Sequence, residues 1–342
     1  MPERILIIKI AALGDAVMAS TLVPAIRRRW PDAKIGWAAG TGIAPLVRLI
    51  EGVDEVIEVD DKLLLGGTWL SAVVATVRAW RLIGRRWDRV YVAHTDSRYA
   101  WLSTFAGART TIRFSGDHAR RPGRWYGGEY MRMVTATTGE VADVSALAEL
   151  KTASLPEPPA IDRKNGLVVV APGGARNLLR DDSLRRWPIE LWVATVTRLV
   201  AQQYTVVAIG EKGDAVECEF CGYAGALNLC GQTSLTSLMS LLQSADLLIT
   251  HDSGPMHLAI ALKRPVVALF GPTSPFEFVP RGANVTVLTR AQTLACAPCY
   301  NGSGFAECSN NLCINRVPVD EVTHAAERML AGAPSELWSG AA

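Results

Sequence analysis

Apolar residues in this chain fall in short continuous runs, set between longer stretches where they recur at every third or fourth position. The run Ile5–Ile10 predicts a buried strand, and Asp15–Trp30 predicts an amphipathic helix closed by Pro31. Ile35–Ala38, Glu55–Val59 and Val90–Ala93 predict further strands, with helices over Ala44–Ile50 and Trp69–Ile83. Alternation of this kind predicts a parallel, doubly wound α/β sheet. The stretch Leu155–Gly166, rich in proline and polar residues, predicts an interdomain linker. The pattern then restarts with strand Leu167–Ala171, turn Pro172–Ala175, helix Ile189–Gln202, strand Thr205–Ile209 and helix Leu235–Gln243. Two such domains leave a cleft between them, where ligands commonly bind.

The most informative run is Ala245–Pro275. It reads as strand (Leu247–Thr250), tight polar turn, helix, strand (Val266–Phe270) and a second small-residue turn, Gly271-Pro272-Thr273. Pro255 stands where a first-turn proline costs no hydrogen bond. Ser253 and Gly254 stand at the cap, leaving N–H groups at a helix start of partial positive charge, which suits a diphosphate. His251 and His257, six apart, lack the spacing of a two-histidine helical metal site, and Ser253 lacks the elbow motif of a hydrolase nucleophile.

Composition narrows the class. With 342 residues, 49% hydrophobic and 20% charged, the chain has the make-up of a globular protein with room for two cores. No apolar run reaches the ~18–20 residues that span a bilayer, and the first strand is broken by Lys9 without a small-residue cleavage site. A cytoplasmic protein is the expectation. The net charge of +2 conceals an excess between Arg78 and Arg132, where twelve arginines face four acids. That stretch suits an anionic acceptor or an acidic membrane surface, or a solvated face; no nucleic-acid motif accompanies it. Of seven cysteines, Cys296, Cys299, Cys308 and Cys313 have a knuckle-like spacing that fits structural zinc or iron, or else buried thiols.

Candidate chemistry follows from the strand ends. Asp15, after Gly14, is placed to remove an acceptor proton or to cap its helix. Gly173 and Gly174 let backbone approach a ligand, and Arg176, Arg185 and Arg186 offer guanidinium groups to phosphate. Glu211, beyond Ile209-Gly210, is a candidate acceptor for ribose hydroxyls.

Three stretches, Ile5–Pro24, Val170–Pro188 with its Arg-Arg-Trp-Pro, and Ala245–Pro275, together resemble glycosyltransferase family nine, the ADP-heptose lipopolysaccharide heptosyltransferases. The resemblance implies the GT-B architecture, two Rossmann-like doubly wound domains facing a central cleft. Residues 1–158 would bind the acceptor and 159–342 the nucleotide sugar, with a helix near 318–330 a candidate to cross back to the first domain. It implies inverting transfer of a heptosyl group from ADP-heptose to a hydroxyl of an anionic glycolipid or other acceptor, with Asp15 as base and no metal needed for catalysis. Donor contacts would come from Gly173, Gly174, Arg176, Arg185, Glu211, Asp252, Ser253, Gly254, Pro255, His257, Gly271 and Thr273. Arg185 departs from the family pattern, which has Lys there. In some relatives a cysteine set comparable to the late four binds iron. Work at the inner face of the inner membrane would follow. The competing readings are another GT-B nucleotide-sugar enzyme, such as an epimerase or a transferase acting on a protein or small molecule, and a non-catalytic nucleotide-sugar-binding protein.

Overall fold

A computed structural model describes residues 2–136, 142–175, 181–302 and 304–335. The chain divides into two compact units, one ending at Ser154 and the other beginning at Leu155, at the head of the proline-rich stretch. Both are parallel α/β units of the Rossmann-like kind.

In the first unit, strands β1 (Arg4–Ile8), β2 (Lys34–Gly40), β3 (Glu55–Val59), β4 (Arg89–Val92) and β5 (Thr110–Arg113) lie in the order β3-β2-β1-β4-β5. Every pairing is parallel. Its helices are α1 (Leu13–Ala19), α2 (Leu22–Arg29), α3 (Ala44–Leu49), α4 (Trp69–Ile83), α5 (Ser97–Ser103) and α6 (Tyr126–Thr135). The single helix expected over Asp15–Trp30 is two. Pro24 lacks the N–H that would bond back to Ser20, and the buried Thr21 hydroxyl turns to the carbonyls of Met18 and Gly127, at 3.0 and 2.7 Å.

In the second unit, strands β6 (Leu167–Ala171), β7 (Thr205–Ala208), β8 (Leu227–Asn228), β9 (Leu247–His251), β10 (Val266–Phe270) and β11 (Val285–Thr289) take the order β11-β10-β9-β6-β7-β8, again all parallel. Its helices are α7 (Ile189–Ala201), α8 (Ala215–Tyr223), α9 (Leu235–Ser244), α10 (Gly254–Ala261), α11 (Pro275–Phe278), α12 (Leu312–Asn315) and α13 (Val319–Leu330). Strands β6, β9 and β10 are buried throughout, which is why β6 and β10 read as unbroken apolar runs, while β9 ends in the buried polar pair Thr250 and His251. Val322, Ala325, Ala326 and Met329 of α13 join the core of this unit, and the helix packs against α7 and the sheet.

Each sheet reverses its winding once. The chain moves outward from β1 through β2 and β3 before β4 returns to the other side of β1. It does the same from β6 through β7 and β8 before β9 returns to β6. The crevice outside the carboxyl ends of the two strands at such a reversal is where open α/β sheets bind ligands. Asp15 follows β1, Gly173 and Gly174 follow β6, and Asp252 to Pro255 follow β9.

One close approach in the first sheet can be tested. Trp87 lies across Gly36 of β2 and donates its Nε1–H to Ile83 O at the end of α4, 2.9 Å away. A Cβ on residue 36 would stand 2.2 Å from the Trp87 ring. Gly36→Ala should therefore destabilise the protein by about 1–3 kcal/mol through overpacking, seen as a lower urea midpoint. An unchanged midpoint would show that the ring is free to move.

Candidate functional site

At the end of β1, a buried ammonium gathers the polar side chains around it. Lys9 has no exposed surface; its Nζ donates to Asp15 Oδ2 at 2.9 Å and to the Tyr130 hydroxyl at 3.3 Å. It also lies 5.6 and 6.0 Å from the ring centres of Tyr130 and Tyr99. Burial lowers the lysine's pKa, and the Asp15 carboxylate beside it works in the opposite direction. Asp15 sits in the first turn of α1. The cap position belongs to Ala12, whose side chain has no group to cap with. The Asp15 side chain keeps 32% of its surface exposed while one oxygen is held by Lys9. The loop leading to α1 is fixed from the neighbouring strand's side, since the Tyr99 hydroxyl accepts from Ala11 N at 3.0 Å and donates to Ala11 O at 3.1 Å. His94, just beyond β4, stacks on Tyr99 at 4.2 Å and accepts from Asp96 N through Nδ1. Burial, reinforced by the Lys9 charge, pushes its pKa down to about 4, so it is neutral with its proton on Nε2.

At the β6/β9 reversal in the second unit, His251 joins three segments. Its Nε2 accepts from Trp187 N at 2.8 Å and its Nδ1 lies 3.2 Å from Gly173 O, which makes Nδ1 the protonated nitrogen. The ring meets Trp192 edge-on at 5.2 Å. Neither Gly173 nor Gly174 could be another residue without strain. A Cβ on Gly173 would lie 2.4 Å from Asp214, and Gly174 has φ +89. Asp214 binds this turn to the next strand's loop, accepting from Gly174 N and Glu211 N, each at 2.9 Å. Gly174 O accepts from Arg186 Nε at 3.0 Å, and Arg186 pairs with Asp181. The Gly174 N–H is thus committed within the protein. Glu211 is exposed, and partial burial of its carboxyl together with Asp214 raises its pKa.

Helix α10 begins beside this turn with Ser253 in the cap position and Pro255 in the first turn. The Ser253 hydroxyl bonds Thr250 Oγ1 at 3.0 Å and does not cap, so it leaves the first N–H groups of α10 uncovered. Asp252 is buried, with Arg185 Nη1 at 3.7 Å and His257 Nε2 at 3.9 Å. Asp252 Oδ2 and Thr273 Oγ1 are buried without a hydrogen-bond partner among the described residues, a rare condition that leaves them binding capacity for a ligand. Arg185 lies 5.9 Å from the ring centres of Phe278, Tyr300 and Phe305, with Asp182 at 3.8 Å. Gly271 has a packing role, because a Cβ there would meet Ile314 of α12 at 3.0 Å. Arg176 lies outside the described residues.

The four late cysteines lie near one another, with Cys313 acted on by Cys299, Cys308 and Cys296. Among the described residues, no three His, Cys, Asp or Glu side chains are grouped to hold a metal ion. Cys296 and Cys308 are exposed, Cys299 is half-buried and Cys313 is buried, its thiol pushed up to about 11 by burial and the neighbouring Cys299, Cys308 and Cys296. What their segment does is structural: Cys299 N and Tyr300 N donate to Pro272 O at 3.0 and 3.1 Å, which brings Tyr300 to Arg185. Sequence reasoning missed Lys9, Tyr99, Tyr130 and Asp214. A lysine interrupting an apolar strand six residues before an aspartate, and the Glu-x-x-Asp spacing of a helix start, were the available signals.

Two parallel Rossmann-like sheets, each with polar and charged groups gathered at its reversal point, are the arrangement that GT-B glycosyltransferases share. The profile of Glycosyltransferase family 9 (heptosyltransferase) matches residues 140–307. Lipopolysaccharide heptosyltransferase 2 of Escherichia coli K12 is 25% identical over 309 residues, covering 81% of this chain and 85% of that protein. Among solved structures, the glycosyl transferase family 9 protein of Veillonella parvula superposes with a TM-score of 0.76 at 21% identity, covering 97% of this chain and 98% of its own. E. coli ADP-heptose lps heptosyltransferase II gives 0.71 at 21%, covering 96% and 99%. By these similarities the chain is a heptosyltransferase-like glycosyltransferase, similar to family 9 across most of its length.

The His251 bridge makes a prediction about acidity. Burial lowers its pKa to about 4, against about 6.5 in the unfolded chain. The unfolded state therefore binds the proton first, and stability present above about pH 6.5 should be lost as pH falls toward about 4, by up to about 3 kcal/mol from this residue. A magnetic-resonance titration of the imidazole should show its midpoint near about 4. A midpoint near 6.5 would mean that the bridge is open in solution.

Proposed function

We propose that this protein transfers a heptosyl group from ADP-heptose to an acceptor hydroxyl of a lipopolysaccharide or related glycoconjugate, with inversion at the anomeric carbon. The observation that carries the reading is Asp15. It is a carboxylate at the β1/β4 reversal, held by a buried ammonium, partly exposed, and three residues beyond the helix-cap position. In this reading Asp15 takes the hydroxyl proton as the acceptor oxygen bonds the anomeric carbon, while the bond from that carbon to the diphosphate breaks and its electron pair leaves with ADP. The start of α10 and Arg185 carry the charge that develops on the diphosphate, so the step calls on no metal ion. Asp252 and Thr273 supply acceptors or donors for the sugar. The choice of ADP-heptose is supported by the names of the relatives and by the family-like run from residue 250 to 275.

Two measurements test it. ADP and ADP-heptose should raise the melting temperature more than UDP or GDP compounds do; equal shifts with all three would remove the donor assignment. Asp15→Asn should bind ADP normally and lose at least about a hundredfold in turnover, the usual contribution of a positioned base being ~10²–10⁴-fold. Its melting temperature should fall modestly, because Lys9 stays buried with a weaker partner. Mass spectrometry of the products identifies the reaction. A converted sugar nucleotide formed without acceptor would mark an epimerase, and an active Asn variant would place the base elsewhere.

A further inference from the structure

Helix α4 is apolar on both sides. Ala72, Ala75, Thr76, Ala79 and Ile83 face the core of the first unit. The opposite side carries Leu70, Val73, Val74 and Val77, all exposed, and Trp69 at its start is 72% exposed. A helix packed on a sheet ordinarily turns polar residues outward. Trp101 of α5 and Phe105 just beyond it extend the surface, also exposed, and Trp80 of α4 joins them by donating to Trp101 O at 2.8 Å and stacking on Phe105. Continuous exposed apolar surface of this kind marks an interaction site.

The charge around it is one-sided. Residues 62–87 contain Lys62, Arg78, Arg81, Arg85 and Arg86 and no Asp or Glu. Elsewhere in the arginine-rich stretch several arginines have an acidic partner. Arg121, Arg124 and Arg132 gather on Glu129, Arg98 pairs with Asp96, and Arg89 with Glu3. Arg86 pairs with Glu55. Arg78 and Arg81, on the outer side of α4 near its C-terminal end, pair with no described acid, and Arg85 lies over Phe105 at 5.5 Å.

We propose that this face of α4, with Trp101 and Phe105, is the surface by which the protein docks on a bilayer carrying anionic phospholipid. The chemistry matches at both levels: the aliphatic and indole side chains enter the acyl boundary, and the unpaired guanidinium groups meet lipid phosphates. No described helix is long and apolar enough to cross a membrane, so α4 lies along the surface. A second copy of the chain is a poorer occupant, because a two-fold contact would press two acid-free, basic faces together. The proposal depends on neither the donor nor the acceptor assigned above.

Flotation of the full chain with vesicles tests it. The protein should float with vesicles of phosphatidylcholine and phosphatidylglycerol in equal parts, stay behind with phosphatidylcholine alone, and release as salt rises. Leu70→Asp with Val74→Asp should weaken flotation about tenfold or more, as should Arg78→Glu with Arg81→Glu, while the ADP-induced melting shift stays as in the wild type. If the first pair does not fold, the exposed arginine pair still decides. Three results would overturn the proposal: no flotation of the wild type with the anionic vesicles, flotation unchanged in the folded variants, or a wild-type dimer in sedimentation that Leu70→Asp with Val74→Asp converts to monomer. Loss of transferase activity with flotation intact would count against the function proposed above and leave this surface standing.

Discussion

A single neutral imidazole holds the second unit's ligand loops in place. His251 ends the buried strand β9, and its two ring nitrogens reach the loop after β6 and the segment that starts α7. Each of those contacts is a backbone group that would otherwise be buried without a partner, so the histidine satisfies two debts with one side chain. The ring must be uncharged to accept from Trp187, and its complete burial keeps it so. The glycine turn, Asp214 and Arg186 are then positioned by hydrogen bonds that start from this bridge. The first unit uses the opposite strategy, since the group at the heart of its reversal point is a cation, Lys9, buried with Asp15 and two tyrosines around it.

The two reversal points share a logic despite their different chemistry. In each, the strand that leaves the centre of the sheet and the strand that returns to it are parallel and adjacent, so their following loops open side by side. Loops in that position are short of neighbours and need anchors. Tyr99 anchors the first by bonding both polar groups of Ala11, and Asp214 anchors the second by accepting two backbone N–H groups. Asp15 in one unit and the α10 start in the other thereby stand in rigid surroundings, which is what a precise site requires.

The fold was legible because its central strands are buried on both faces. Such strands read as continuous apolar runs, so β6 and β10 fall where the pattern put them. Strand β5 and helix α6 escaped because Thr110–Arg113 alternates weakly and α6 contains two glycines. The roles of Asp15 and the residues near Ser253 came from motif order and family likeness, not from periodicity. What sequence could not convey was pairing across distance. Lys9 with Tyr130, Tyr99 with Ala11, and Gly174 with Asp214 are far apart in the chain and meet only once the sheets have formed. The same holds for the cysteine segment, whose spacing says nothing of the backbone hydrogen bonds from Cys299 and Tyr300 to Pro272.

Arg185 shows how a change at one position becomes the concern of several. Its flat guanidinium is bordered by Phe278, Tyr300 and Phe305 and by the carboxylates of Asp182 and Asp252, and three aromatic neighbours suit a planar cation better than a compact, strongly hydrated ammonium. Reversion to the lysine of the family pattern would therefore vacate space that three rings now share. These four positions form one packed unit in this chain, so a change at 185, 278, 300 or 305 falls on the other three. A chimera that exchanged the segment after β10 with a lysine-bearing relative would have to exchange residue 185 along with it.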